Sequence, residues 1–142
     1  MGRLMAIDYG RRRCGVAVTD SLRIVANALA TVATSELVAF VCAYVARESV
    51  DRIIVGLPTT MSGEASESMR YIRPGIGALR KALGPDGPEV EFFDERFTSA
   101  IAHRAMIDGG VPRMRRREKG MADRMAATII LNDYLESKQF KQ

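Results

Sequence analysis

Asp8 closes an unbroken apolar run, Leu4-Met5-Ala6-Ile7, and is followed at once by Tyr9-Gly10 and three arginines, Arg11 to Arg13. A carboxylate held at a strand end beside strong positive charge suits an acid that binds a metal against a phosphate. Standing alone, Asp8 would be better read as a turn-capping aspartate. It has company. Asp123 falls on the same helical stripe as Ala126, Ala127, Ile130 and Tyr134, with Asn132 and Glu136 on the opposite side. A charge on an apolar stripe is costly unless it meets a metal or a cation, although a dipole-capping acid is the plainer reading. Lys119, one turn earlier, falls near the same face. The third candidate is Glu95, which follows the apolar run Val90 to Phe93. Asp94 competes with it, because adjacent strand residues point to opposite faces. Arg96 follows, and could orient these acids or touch substrate. In the plainer reading, Asp94-Glu95-Arg96 is a solvated charge run.

Asp8, Glu95 and Asp123 together form a cluster of hard oxygen donors. Magnesium takes such ligands, one or two carboxylates per ion, and leaves room for water and phosphate. Two ions about 4 Å apart would activate water and stabilise the leaving oxygen in phosphodiester cleavage. The arginine runs flank these acids in sequence: Arg11 and Arg12 beside Asp8, and Arg115 and Arg116 ahead of Asp123. Forked guanidinium contacts suit phosphate oxygens, so these arginines and Lys119 are candidate substrate contacts.

Such acids need a scaffold that brings distant segments to one point. A strand apolar at both odd and even positions is buried on both faces, so residues 3–9 read as a central strand. Gly10 permits a sharp turn into a second strand over 14–19, and a third is expected across Ile24 to Val32. Thr34 or Ser35 should cap a helix whose stripe of Leu37, Val38, Val41, Tyr44 and Val45 faces the sheet. Arg52 to Gly56 reads as another strand. A polar loop over Thr59 to Ser66 leads to a second helix, which Pro74-Gly75 should kink or split. Val90 to Phe93 is the last strand. Thr98 should cap a third helix ending at Gly109-Gly110, a basic segment follows over Val111 to Glu118, and a final helix runs to Ser137. The order β-β-β-α-β-α-β-α-α implies an α/β fold with a mixed five-stranded sheet and helices on both faces. No linker divides the chain, so residues 1–142 are expected to form one domain.

Composition agrees with an intracellular globular protein: 142 residues, 47% hydrophobic, 27% charged and 6% aromatic. No apolar stretch approaches the roughly 18 residues needed to cross a bilayer, so no membrane partner is expected. Cys14 and Cys42 lack CxxC or histidine pairing and are expected as reduced thiols. The net charge of +4, with arginine clustered, is the footprint of a polyanion partner.

The motifs taken in order resemble the YqgF family, Holliday-junction-resolvase-like proteins of the RNase H-like superfamily also described as pre-16S rRNA nucleases. The resemblance spans nearly the whole chain. It rests on Asp8-Tyr-Gly10 with Gly15-Val-Ala-Val-Thr-Asp20, on Val55-Gly-Leu-Pro58, on Asp94-Glu-Arg-Phe-Thr-Ser99, and on Lys119 with Asp123 and Ala126-Ala127. It implies an RNase H-like sheet and a cytoplasmic nuclease dependent on Mg²⁺ or Mn²⁺, with Asp8, Glu95 and Asp123 as metal-binding catalytic acids. Its implied role is processing of the 5′ end of pre-16S rRNA, with cleavage of branched DNA as the alternative. Junction resolution would need two active sites and hence a homodimer. A nucleic-acid-binding protein without cleavage is a rival reading. An actin-like ATPase fragment is another, because Asp8-x-Gly10 also resembles that superfamily's phosphate loop. His103, the only histidine, gives little support to nucleophilic catalysis.

Overall fold

In the computed structural model, residues 2–57, 68–94 and 119–140 are described. Five strands form one sheet: β1 (Arg3–Tyr9), β2 (Arg13–Thr19), β3 (Ala26–Ala33), β4 (Val50–Leu57) and β5 (Glu89–Asp94), in the spatial order β3-β2-β1-β4-β5. β1 pairs antiparallel with β2 and β2 with β3, while β1 runs parallel to β4 and β4 to β5. Helix α1 (Leu37–Arg47) connects β3 to β4, α2 (Met69–Leu83) precedes β5, and α3 (Lys119–Phe140) closes the described chain.

The central position of β1 explains its unbroken apolar run. Met5 and Ile7 enter a core shared with Leu37, Val41 and Tyr44 of α1 and with Ile72, Ile76 and Leu79 of α2. Leu4 and Ala6 point the other way, into a core shared with Ala127, Ile130, Leu131 and Tyr134 of α3. Each large buried side chain contributes about 1.5–3 kcal/mol. The α3 stripe expected from periodicity is therefore the buried one, and Asn132 and Glu136 are exposed. Both cysteines are free thiols. No helix among the described residues is long and apolar enough to cross a membrane.

Three local expectations change. Pro74 lies inside α2, which runs without a break from Met69 to Leu83. The proline is on the exposed side, so the Arg70 carbonyl that loses its helical partner can turn to solvent. Thr34 does not cap α1. A 3-10 turn, Thr34–Glu36, comes first, with no side-chain cap, and the Thr34 hydroxyl is engaged elsewhere. The third strand begins later than its apolar sequence suggests. The Asp20 carboxylate accepts backbone N–H groups from Leu22 at 3.1 Å and from Ile24 and Val25 at 2.8 Å, which holds this segment in a turn and leaves Leu22, Ile24 and Val25 exposed. The polar loop over 59–66, the Thr98-capped helix with His103, and the basic segment over 111–118 lie outside the described residues.

The Asp20 turn gives the fold an acid-sensitive point. The N–H of Val25, followed by those of Ile24 and Leu22, holds the Asp20 carboxyl below its ordinary range. Asp51 is lowered by the N–H of Gly2 and then by Arg23. A depressed carboxylate pKa contributes stability above the unfolded value, which is lost as pH falls through the folded one. The urea midpoint should therefore stay level down to about pH 5 and fall below about pH 4. In Asp20→Asn the acid fall should be shallower; an unchanged pH profile would contradict this account.

Gly77 makes the opposite kind of prediction. Among the described residues, a Cβ built there meets nothing outside its own helix within 4 Å, and the position is exposed inside a helix. Gly77→Ala should raise stability by about 0.5–1 kcal/mol in urea unfolding, because alanine loses less backbone freedom on folding.

Candidate nucleic-acid site at the Asp8 end of the sheet

Asp8 is the next-to-last residue of β1, and strand alternation puts it on the face of Leu4 and Ala6, beneath α3. Its register partner on β2 is Gly15. On the other side Ile7 pairs with Val55, so one further step along the parallel register brings Gly56 beside Asp8. Neither neighbouring strand sets a side chain next to the carboxylate on this face. Asp8 thus stands between two stretches of bare strand backbone.

The start of α3 comes to the same level. Gly15 pairs in turn with Thr31 of β3, so Asp8, Gly15 and Thr31 form a row across the sheet roughly 10 Å long. Arg124 reaches the end of that row, its guanidinium donating to Thr31 Oγ1 at 3.4 Å. Asp123 precedes Arg124, and Lys119 lies one turn earlier in the same helix. The other half of α3 is seated where Tyr134 packs edge-on to Phe93 of β5, with ring centroids 5.7 Å apart. Burial raises the Tyr134 pKa, and its hydrogen bond to Glu91 raises it further. With the helix held at both ends, the backbone of Asp123 is carried to the Asp8 end of the sheet.

The turn after Asp8 is also held. The Thr34 hydroxyl donates to the Gly10 carbonyl at 2.8 Å, and the Thr34 N–H donates to the Arg12 carbonyl at 2.9 Å. Gly10 has no room for a Cβ, which would overlap the Arg13 carbonyl. Arg11 and Arg12 are exposed on this clamped turn, at the sheet end that carries Asp8. Thr34 escaped sequence reasoning because its position ahead of a helix made capping the simpler role for its hydroxyl. Tyr9 is a second residue whose part was not legible. Its ring stacks on Tyr71 of α2 at 6.2 Å, and its hydroxyl lies against Gly75 of the same helix. Burial raises its pKa, followed by the influence of Cys14 and Tyr71.

Of the sequence-derived candidates, Asp8, Arg11, Arg12, Lys119 and Asp123 thus belong to elements that meet at one end of the sheet. Asp94, the last residue of β5, pairs with Leu57 at that same end. Glu95, Arg96, Arg115 and Arg116 lie outside the described residues. Among the described residues no group of three His, Cys, Asp or Glu side chains comes together to hold a metal.

The profile of the RuvX family, described as Holliday junction resolvase, matches residues 2–137. The chain belongs to that family. A relative from Phocaeicola vulgatus with the name "Putative pre-16S rRNA nuclease" is 54% identical over 140 residues, covering 99% of both chains. One of the same name from Flavobacterium johnsoniae is 41% identical over 140 residues, 99% of this chain and all of its own. Among solved structures, the fold is similar to T. thermophilus RuvC in complex with a Holliday junction substrate, with a TM-score of 0.59 at 16% identity over 98% of this RuvX-family chain and 96% of that one. The fowlpox virus Holliday junction resolvase superposes with a TM-score of 0.52 at 15% identity, over 95% and 99% of the two chains. At such identities the likeness concerns the fold, which is that of the RNase H-like resolvases.

Proposed function

We propose that this chain is a metal-dependent nuclease acting on structured RNA, with the 5′ flank of pre-16S rRNA as its substrate and Asp8, Glu95 and Asp123 as its acids. The observation that carries the reading is the convergence of Asp8 and the start of α3 at one end and on one face of the sheet, beside a clamped turn bearing exposed arginines. The names of relatives covering the full chain at 54% and 41% identity support the substrate. Phe93 belongs to the α3 side of the sheet. Glu95, two residues further on, is the third acid of this proposal and lies outside the described residues.

The donor set fits Mg²⁺ or Mn²⁺. Carboxylate oxygens are the hard ligands these ions take, and the glycines on both sides of Asp8 add no side chain that competes for them. When bound, such an ion supplies positive charge to a water nucleophile and to the leaving oxygen of the phosphodiester. Asp8 holds its carboxylate on a strand buried on both sides, so its position changes little when substrate arrives. Arg11 and Arg12 bind phosphates flanking the scissile one, oriented by the Thr34 clamp. Arg96, Lys119, Arg115 and Arg116 extend those contacts in this proposal.

The test is cleavage of a 5′-extended 16S rRNA fragment and of a four-way DNA junction, with Mg²⁺, Mn²⁺ or chelator. Metal-dependent RNA cutting supports the reading. Cutting of the junction alone would move the function to branched DNA, which the resolvase description of the family favours. It would also call for a two-fold dimer, to be sought by sedimentation. Binding of both substrates with cutting of neither would make this a nucleic-acid-binding protein.

A further inference from the structure

The outward side of α2 breaks the local rules of helix design three times. Arg70 lies in the first turn, where the helix dipole favours an acid and disfavours a cation. Pro74 removes a backbone hydrogen bond from the second turn. Gly77 stands exposed in the interior, and among the described residues nothing beyond the helix's own backbone lies within 4 Å of where its Cβ would be. Departures of this kind, where alanine or glutamate would serve the helix better, tend to mark functional surface.

The charge on α2 points to the ligand. Its fifteen residues carry Arg70, Arg73, Arg80 and Lys81 and no carboxylate, four charges that match the net +4 of the whole chain. Arg80 is occupied, donating to the Val90 carbonyl at 2.9 Å over the Phe92 ring. Arg70, Arg73 and Lys81 are exposed and form no ion pair among the described residues. At the opposite end of the sheet the arginines meet acids: Arg3 with Glu48, Arg23 with Asp51, and Arg52 with Glu89 and Glu91. Exposed cations that form no ion pair among the described residues thus gather on α2, and Arg11 and Arg12 are exposed at the Asp8 end. A like-charged face of this kind repels a second copy of itself, so a polyanion suits it better.

Helical spacing puts Arg70, Gly77 and Lys81 along one line, with Arg73 beside it, over roughly 16 Å. The line begins at the Asp8 end of the sheet, on the face opposite the Asp8 carboxylate, so a strand leaving Asp8 reaches it around that end. α2 begins beside the end of β1, where Tyr71 stacks on Tyr9, the residue after Asp8. We propose that this face of α2 is a phosphate-binding track, in which Arg70, Arg73 and Lys81 hold the sugar–phosphate backbone of the substrate as it leaves the Asp8 site and the bare backbone at Gly77 lets it lie close. The track rests on the nuclease reading above. It reads charge and shape, so it accepts RNA and DNA alike.

The test measures binding of labelled 5′-extended 16S rRNA fragment and of a four-way DNA junction over a range of salt, in an Asp8→Asn background that does not cut. Removing three phosphate contacts in Arg70→Gln/Arg73→Gln/Lys81→Gln should lower the slope of log K against log salt by about 2–3 and weaken binding at least about tenfold. Gly77→Glu should also weaken binding, whereas Gly77→Ala should not, although both favour the helix; this separates binding from folding. Arg47→Gln, a loss of charge at the far end of α1, should bind as the parent does. In the cutting-competent protein the triple variant should raise KM and leave kcat within about twofold.

A triple variant and Gly77→Glu with the parent's affinity and salt slope would overturn the track, while intact RNA cleavage left the nuclease reading standing. An equal loss in Arg47→Gln would also overturn it, as an effect of net charge alone. If the parent bound neither nucleic acid, the nuclease reading and the track would fall together.

Discussion

Asp8→Asn is expected to reduce phosphodiester cleavage by about 10²–10³-fold or more, the scale on which a site loses one preorganised charge-stabilising group. The substitution keeps the shape of the side chain and removes its charge. Neither β-strand neighbour, Gly15 or Gly56, can bring another carboxylate into its place. β1 is held by two cores through Met5, Ile7, Leu4 and Ala6, so the fold should persist, with a thermal midpoint near that of the parent. Nucleic-acid binding should persist as well, because the arginines that hold phosphate are untouched. The informative measurement is single-turnover cleavage at saturating metal and substrate, with Asp123→Asn alongside. Residues that act as one unit are not additive, so the double variant should be little worse than the poorer single one. Cleavage at the parental rate in Asp8→Asn would remove Asp8 from the chemistry.

The second large effect is expected at a distance from the acids. Gly75→Ala puts a Cβ where the Tyr9 hydroxyl lies, with the ring carbon that bears it close behind. Neither side can give way easily. Tyr9 is stacked on Tyr71, and α2 is pinned by the buried Ile72, Ile76 and Leu79. Overpacking of this kind costs about 1–3 kcal/mol. Relief has to come from movement at the end of β1, and Tyr9 is bonded directly to Asp8. A displacement of about 1 Å in a positioned group can lower a rate about 10²-fold, so cleavage should suffer together with stability.

Tyr9→Phe provides the control. It removes the oxygen that the new methyl would meet, and combined with Gly75→Ala it should recover part of both losses. The coupling energy in that cycle should be on the order of 1 kcal/mol. Strict additivity of the two substitutions would show that the contact does not transmit between α2 and the site.

The contrast with Gly77, two residues along the same helix, shows why the sequence could not distinguish the two glycines. Gly75 faces a tyrosine hydroxyl across the interface with β1, whereas Gly77 faces open space. In the sequence the Pro74-Gly75 pair predicts a kink or a split, and Gly77 carries no signal of its own. What keeps α2 continuous is its opposite side, where Met69, Ile72, Ile76 and Leu79 are buried. That packing outweighs a proline on the solvent side. Thr34 gives the same lesson at the turn. Its hydroxyl had an available role as a cap, and only the antiparallel pairing of β2 with β3 brought it within reach of Gly10.

Periodicity by itself determined the five strands, the central place of β1, the buried stripe of α3 and the candidacy of Asp8 and Asp123. Those features follow from local apolar patterning, and any chain that buries both faces of a strand must show it. The register that sets Gly15 and Gly56 beside Asp8, the level at which Arg124 carries α3 across the sheet, the Thr34 clamp and the Tyr9–Gly75 contact were decided by the tertiary structure alone. Each depends on pairing between residues distant in sequence, and a slip of one position would move every side chain of a strand to the other face.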